Sequence, residues 1–190
     1  MPTPVLIRAL LWLWLLIALY LGHTEKLADV SAFVLPVLVL GLAAAFVFVG
    51  KRLKLVRDWF ASFDLRALVL LSTTRFVGLY FLHLFTRGEM PARFAYVFGW
   101  SEALVAGSAL VLGAAPLKPA FLARAVTIWN VVGCIELVLL TFNVMRLTAA
   151  DPATHALFAQ LPLSLWPTFL MPLLLATHIL IYRRLENRAA

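Results

Sequence analysis

Six apolar runs, each about as long as a helix must be to cross hydrocarbon, take up most of this chain: residues 5–21, 30–50, 66–85, 94–113, 125–145 and 163–182. A bilayer core of about 30 Å is crossed by roughly 20 helical residues. In lipid every backbone N–H and C=O must find a partner inside the protein, and a helix satisfies its own. The expected fold is therefore an all-α, polytopic membrane helix bundle of six transmembrane helices, one transmembrane domain over residues 1–190. The loops and tails that remain are too short for a soluble domain. Composition agrees, since 64% of residues are hydrophobic, 13% are charged and mean hydropathy is +0.98, far from the balance of soluble chains.

The first run is short and carries Arg8, as a signal peptide would, but no A-x-A arrangement of small residues follows it. It reads as a retained helix, with a cleaved segment and five remaining helices as the alternative. An echo between 33–40 (FVLPVLVL) and 169–175 (FLMPLLL) places a proline, Pro36 or Pro172, inside the second and sixth runs. It does not fit a three-plus-three duplication.

The 16 Lys and Arg against 9 Asp and Glu give a charge of +7. The basic residues fall between apolar runs, where they meet lipid headgroups rather than nucleic acid. With a cytoplasmic N-terminus, the inner side carries Arg8, Lys51, Arg52, Lys54, Arg57, Arg66, Lys118, Arg124, Arg183, Arg184 and Arg188; the outer side has Lys26, Arg87, Arg93 and Arg146. Cytoplasmic loops retain basic residues, so both termini are expected in the cytoplasm, in a bacterial-type inner membrane. The segment 51–64 (KRLKLVRDWFASFD) interleaves these charges with Leu53, Leu55, Val56, Trp59 and Phe60. It suits a short amphipathic piece at the inner interface, and a positively charged topology anchor is the simpler account. Tyr20, Tyr96, Trp166, Trp59 and Tyr182 fall near predicted span ends, as interfacial aromatics do. Trp12, Trp14, Trp100 and Trp129 are deeper and are assigned to packing.

Three charges fall within the runs: Arg75, Glu102 and Glu136. A charge at the centre of a lone helix costs about 2.5–3.5 kcal/mol on insertion scales, so such groups normally face a partner or a water-filled cavity. Their depths follow from chain folding. The third and fourth runs are joined by the short outer turn 86–93 (TRGEMPAR), with Gly88 and Pro91 as breakers, so they should be antiparallel neighbours. Arg75 then lies as far before the turn as Glu102 lies after it. Folding the chain likewise about the inner turn at Lys118, with Pro116 and Pro119 as breakers, sets Glu136 opposite Ser101 or Glu102. Two carboxylates beside one arginine in a poorly hydrated layer cannot comfortably both be ionised. One is expected to pair with Arg75 and the other to hold a proton. A register lock between helices explains a buried Arg–Glu pair equally well, and both accounts stay open.

Other polar groups have helical spacing relative to this layer. Ser72, Arg75, Leu79 and His83 follow three- and four-residue steps, and Glu136 and Asn143 are seven apart. A polar stripe from the layer to the outer surface is expected, so the candidate binding residues are Arg75, Glu102, Glu136, His83 and Asn143. Thr73, Thr74, Thr127 and Asn130 are assigned to hydrogen bonding between helices.

No catalytic, cofactor or metal site is expected. His83 lies near the outer end of its run and His178 toward the inner end of the last, which opposes a haem held between them. His23, His83 and His155, with Glu25, Asp29, Glu89 and Asp151, are read as outer loop polarity rather than metal ligands. Cys134, the one cysteine, is read as a packed apolar thiol. The chain has no GxSxG, HExxH, GxxxxGK[ST] or GxGxxG motif.

The spacing of Arg75, Gly78, Gly88, Pro91, Phe94, Ala95, Gly99 and Trp100 resembles a hairpin of small uncharacterised bacterial multi-pass membrane proteins. The resemblance covers the third and fourth helices and brings no known activity with it. That pattern often continues Gly-Asp where this chain has Ser101 and Glu102, which keeps the acid on a longer side chain.

The leading expectation is a membrane protein that binds or transports a small solute, coupled to protons. Arg75 would be the electrostatic anchor, Glu102 its partner and Glu136 the proton carrier. The alternatives are a non-catalytic subunit or assembly factor, and a membrane enzyme acting on a lipid or isoprenoid. The partners expected are the lipid bilayer, a small-molecule or proton ligand, and a second copy or another membrane protein.

Overall fold

The computed structural model describes the backbone of residues 3–189 and the side chains of residues 3–186. Arg188, counted above among the inner basic residues, has its side chain outside the described residues. Among those described there is no strand, and six helical segments are long and apolar enough to cross a membrane: Val5–His23, Val34–Arg52, Leu65–Thr86, Ala92–Ala114, Pro119–Ala150 and Trp166–Glu186. In chain order the α-helices are α1 Val5–His23, α2 Val34–Arg52, α3 Lys54–Ser62, α4 Leu65–Leu71, α5 Leu79–Thr86, α6 Ala92–Ala114, α7 Pro119–Ala150, α8 Pro152–Ala159 and α9 Met171–Ala189. They pack as two compact units, one from Met1–Phe63 with Leu137–Ala176 and one from Asp64–Glu136 with Thr177–Ala190.

Several boundaries differ from the hydropathy reading, each for a local reason. The fifth span is a 32-residue helix that extends beyond its apolar run at both ends. Pro119, expected as a breaker, is instead its first residue, where a missing N–H costs nothing. The segment that follows contains α8. Asp151 caps it, accepting from the backbone N–H groups of Ala153 and Thr154 at 3.2 and 3.0 Å, with Pro152 at its first turn. These bonds, and one from the Thr154 hydroxyl, hold the exposed Asp151 carboxyl below its ordinary value.

The third span is α-helical at each end and tightens into a 3₁₀ segment, Ser72–Gly78, between α4 and α5. The Thr73 and Thr74 hydroxyls each donate at 2.8 Å to the carbonyl three residues back, at Leu70 and Leu71. Such local bonds compete with the i−4 ladder. In 3₁₀ geometry residues three apart eclipse one another, which stacks Ser72, Arg75 and Gly78 on one buried face.

In the first unit the sixth span begins with a π turn, Trp166–Leu170, before α9. Pro172 has no N–H to give to the Thr168 carbonyl, and the Trp14 indole donates to that oxygen instead, at 2.8 Å. This is how prolines are accommodated within spans. Trp14 also packs edge-on to Phe169, with ring centroids 4.9 Å apart. Trp12 and Trp100, assigned above to packing, are exposed, whereas Trp129 is buried and its indole donates to Val105 O and Ser108 Oγ. The basic segment after α2 does form a short amphipathic helix, α3, with Val56 buried and Lys54 and Arg57 exposed.

Arg66 has a more specific role than an inner-side charge. Its guanidinium donates at 3.0 Å to Gly113 O, in the last turn of α6, and at 2.5 Å to Ala115 O just past its end, which also accepts from Leu117 N. Arg66→Gln should lose about 1.5–3 kcal/mol, the range for hydrogen bonds to a charged group. Thermal unfolding of the purified protein measures this, and an unchanged midpoint would mean the cap contributes nothing.

Candidate functional site

The second unit places the three intramembrane charges side by side. The short turn between α5 and α6 brings the third and fourth spans back to back, and the approach is closest at glycines. A Cβ on Gly99 would lie 3.2 Å from Gly78 O, and one on Gly78 would lie 3.5 Å from Gly99 O and 2.9 Å from the Cγ of Glu102. Small residues of this kind let helix backbones meet in membranes. The 3₁₀ face then aims Arg75 at Glu102, one turn beyond Gly99.

Arg75 is completely buried, and so is Glu102. The arginine Nε and Nη2 donate to Glu102 Oε1 at 3.1 and 2.6 Å. Nη2 also donates to Glu136 Oε2. Nη1 donates at 3.2 Å to the Gly133 carbonyl. Four of the five guanidinium N–H groups are thereby engaged. Glu136 is anchored on its other oxygen by Ser101, whose hydroxyl donates to Oε1 at 2.6 Å. Its side chain is 14% exposed, which makes it the carboxylate that reaches the surface of the unit.

Arg75, Glu102 and Glu136 lie together, with Ser101 beside them. Both carboxylates contact the arginine, where the sequence suggested that one would. The outward polar stripe does not form as expected. The 3₁₀ turn resets the helical phase, so the buried face continues from Gly78 to Phe81 and Leu84, while Leu79 and His83 are exposed and the His83 ring lies against Tyr80. Asn143 belongs to the first unit, and its amide donates to Leu139 O within its own helix at 2.8 Å.

His178 and Asn130 also belong to the layer, although the sequence places His178 toward the end of its run and assigns Asn130 only to hydrogen bonding between helices. His178 is 1% exposed, and its ring Nδ1 lies 2.8 Å from Asn130 Oδ1. Asn130 Nδ2 donates to the His178 carbonyl at 3.0 Å. The bare Cα of Gly133 admits both rings of contact: a Cβ there would sit 3.3 Å from Arg75 Nη1, 3.3 Å from His178 Nε2 and 2.8 Å from His178 Cε1. Ser72 Oγ, Glu102 Oε2 and His178 Nε2 are buried without a hydrogen-bonding partner among the described residues.

With its donors occupied by carboxylates, Arg75 is poorly placed to receive an anionic ligand. The unengaged carboxyl oxygen of Glu102 suits proton donors. Among the described residues no three His, Cys, Asp or Glu side chains are grouped to hold a metal ion. An apolar groove of about 210 Å³ in the first unit, lined by residues including Leu10, Trp14, Phe46 and Trp59, bears no carboxylate.

Among known proteins, the family described as Domain of unknown function (DUF8737) matches residues 32–186, a region that contains the whole Arg75 layer. No curated protein matches the chain, and no solved structure does.

Proposed function

The chain belongs to this family of unknown function, and we propose that it is a multi-pass membrane carrier in which the buried Arg75 layer binds or transports a small solute with a proton. A bacterial-type inner membrane with cytoplasmic termini fits the one-sided distribution of its basic residues.

One observation carries the reading. A single buried guanidinium is shared by two carboxylates, and the second, Glu136, is the partly exposed one. A lock between two helices needs one carboxylate; a second leaves an excess negative charge that a proton or a cationic donor neutralises. Glu136 is the exchanging group in this scheme, Glu102 the fixed partner, and Arg75 the charge that keeps both in place. Suitable solutes carry N–H or O–H donors, such as ammonium, small amines and polyols, rather than anions.

The test is proton movement in proteoliposomes containing a pH-sensitive dye, challenged with ammonium, methylamine and glycerol. Wild-type protein should move protons with at least one of these beyond protein-free vesicles, and Glu136→Gln should abolish that movement while remaining folded. Wild-type vesicles indistinguishable from empty ones, or an active Glu136→Gln protein, would remove the basis of the reading. The second reading, a membrane-complex subunit, is favoured by the partial exposure of Glu136 and Ser101 beside exposed Trp100 and Leu104, where a partner helix bearing a donor could dock.

A further inference from the structure

The hydrogen bonds around His178 fix its tautomer. Between the two ends of the Asn130 amide, only the nitrogen can donate to the His178 carbonyl, 3.0 Å away. The oxygen therefore faces ring Nδ1 at 2.8 Å. An amide oxygen accepts and never donates, so Nδ1 carries the ring hydrogen and Nε2 presents a bare lone pair. That lone pair is buried with no hydrogen-bonding partner among the described residues, and it and Arg75 Nη1 flank Gly133, each 3.3 Å from where a Cβ on that glycine would sit. The carboxylates occupy the Nε and Nη2 side.

We propose that the buried layer stores one exchangeable proton with two addresses, the Glu102–Glu136 carboxyl pair and His178 Nε2, on different edges of the Arg75 guanidinium. Arg75 contributes one positive charge and the two carboxylates two negative ones. A single bound proton neutralises the cluster at either address. In the exchange a carboxyl O–H bond breaks and leaves a carboxylate, and the Nε2 lone pair forms an N–H bond to give imidazolium. No other bond changes, because Asn130 keeps the Nδ1 hydrogen throughout. Asn130 is thus a positioning residue. The groups facing His178 and its arginine neighbour are Asn130, the Trp129 ring at 5.3 Å, Cys134 and Glu136 from α7, and Glu102 from α6. Arg75 is the cation among them. The inference rests on the layer exchanging protons, as proposed above, and gives that exchange a second site.

The test is ¹⁵N NMR of histidine-labelled protein in nanodiscs, with the His178 signals assigned by their loss in His178→Gln. In wild-type protein at neutral pH His178 should carry its hydrogen on Nδ1, and an imidazolium form should grow as the pH is lowered. Glu136→Gln and Glu102→Gln each leave one carboxylate balanced by Arg75, so the imidazolium fraction at a fixed acidic pH should fall by at least about tenfold. Asn130→Leu should let the hydrogen distribute over both ring nitrogens. A wild-type ring protonated on Nε2 at neutral pH, or an imidazolium fraction unchanged in both glutamine variants, overturns the proposal. Absence of solute-driven proton movement with the expected histidine behaviour would overturn the carrier reading alone.

Discussion

Arg75→Met should cost about 3–5 kcal/mol of stability, the range for removing one partner of a buried ion pair. The loss is large because what remains is costlier than what is removed. Glu102 is fully buried, Glu136 is partly exposed, and both contact the guanidinium, so the variant leaves two neighbouring carboxyl groups with no cation. Arg75→Lys should recover part of the loss. An ammonium supplies the charge but not the planar fork that reaches Glu102, Glu136 and the Gly133 carbonyl together. Adding Glu102→Met and Glu136→Gln to Arg75→Met should restore much of the stability, since apolar replacement of a whole buried ion cluster is often neutral or better. The measurement is equilibrium unfolding of the purified variants in mild detergent, with the triple variant as the control for cavity effects. If Arg75→Met unfolds within about 1 kcal/mol of wild type, the contribution of an exposed pair, the three charges do not meet in a dry layer.

The Arg75–Glu102–Glu136 layer could be read from sequence because it depends on quantities a sequence contains: the length of each apolar run and the position of the turns. Counting residues outward from Gly88 and Lys118 sets depth without any knowledge of helix rotation. Rotation is where that reading stops. α-Helical steps place His83 on the Arg75 face, whereas the 3₁₀ turn at Ser72–Gly78 rotates it to the surface. The Thr73-Thr74 pair is the available signal, because hydroxyls that bond back to preceding carbonyls loosen α geometry. His178 was missed for a different reason. Its apolar run ends at Tyr182, yet the helix continues through Arg183 and Arg184 to Glu186 and beyond. Long basic side chains can remain helical there while their charges reach the interface. That continuation moves His178 from near an end to near the middle of its span. The helix α8 and the early start of α7 depend on capping by Asp151 and on Pro119 at a first turn, features that a hydropathy window averages away.

Glycine substitutions at the third and fourth spans should separate according to what each glycine touches, and Gly78→Val should be the most damaging. A Cβ at Gly78 would collide with the Cβ of Glu102, an atom fixed to the α6 backbone, so no side-chain rotation relieves it. The spans must move apart, and the Arg75–Glu102 contact one 3₁₀ turn away must stretch with them. Gly78→Ala should cost about 2 kcal/mol and Gly78→Val about 3 kcal/mol or more, in the upper range for overpacking. Gly99→Ala should cost less, because the atoms it meets first belong to the Leu82 side chain, 2.8 Å away at Cγ. Gly107→Ala, on the same helix as Gly99, has nothing within 4 Å of its new methyl and should gain up to about 1 kcal/mol from helix propensity. The order Gly78→Val, Gly78→Ala, Gly99→Ala, Gly107→Ala in thermal unfolding therefore tests the close approach itself, with propensity acting in the opposite direction wherever the glycine is in contact. If all four variants shifted by similar amounts, backbone propensity rather than interhelical contact would control them. The two spans would then lack the tight seam that holds Glu102 against Arg75, and a proton-exchanging layer could not be maintained by this packing.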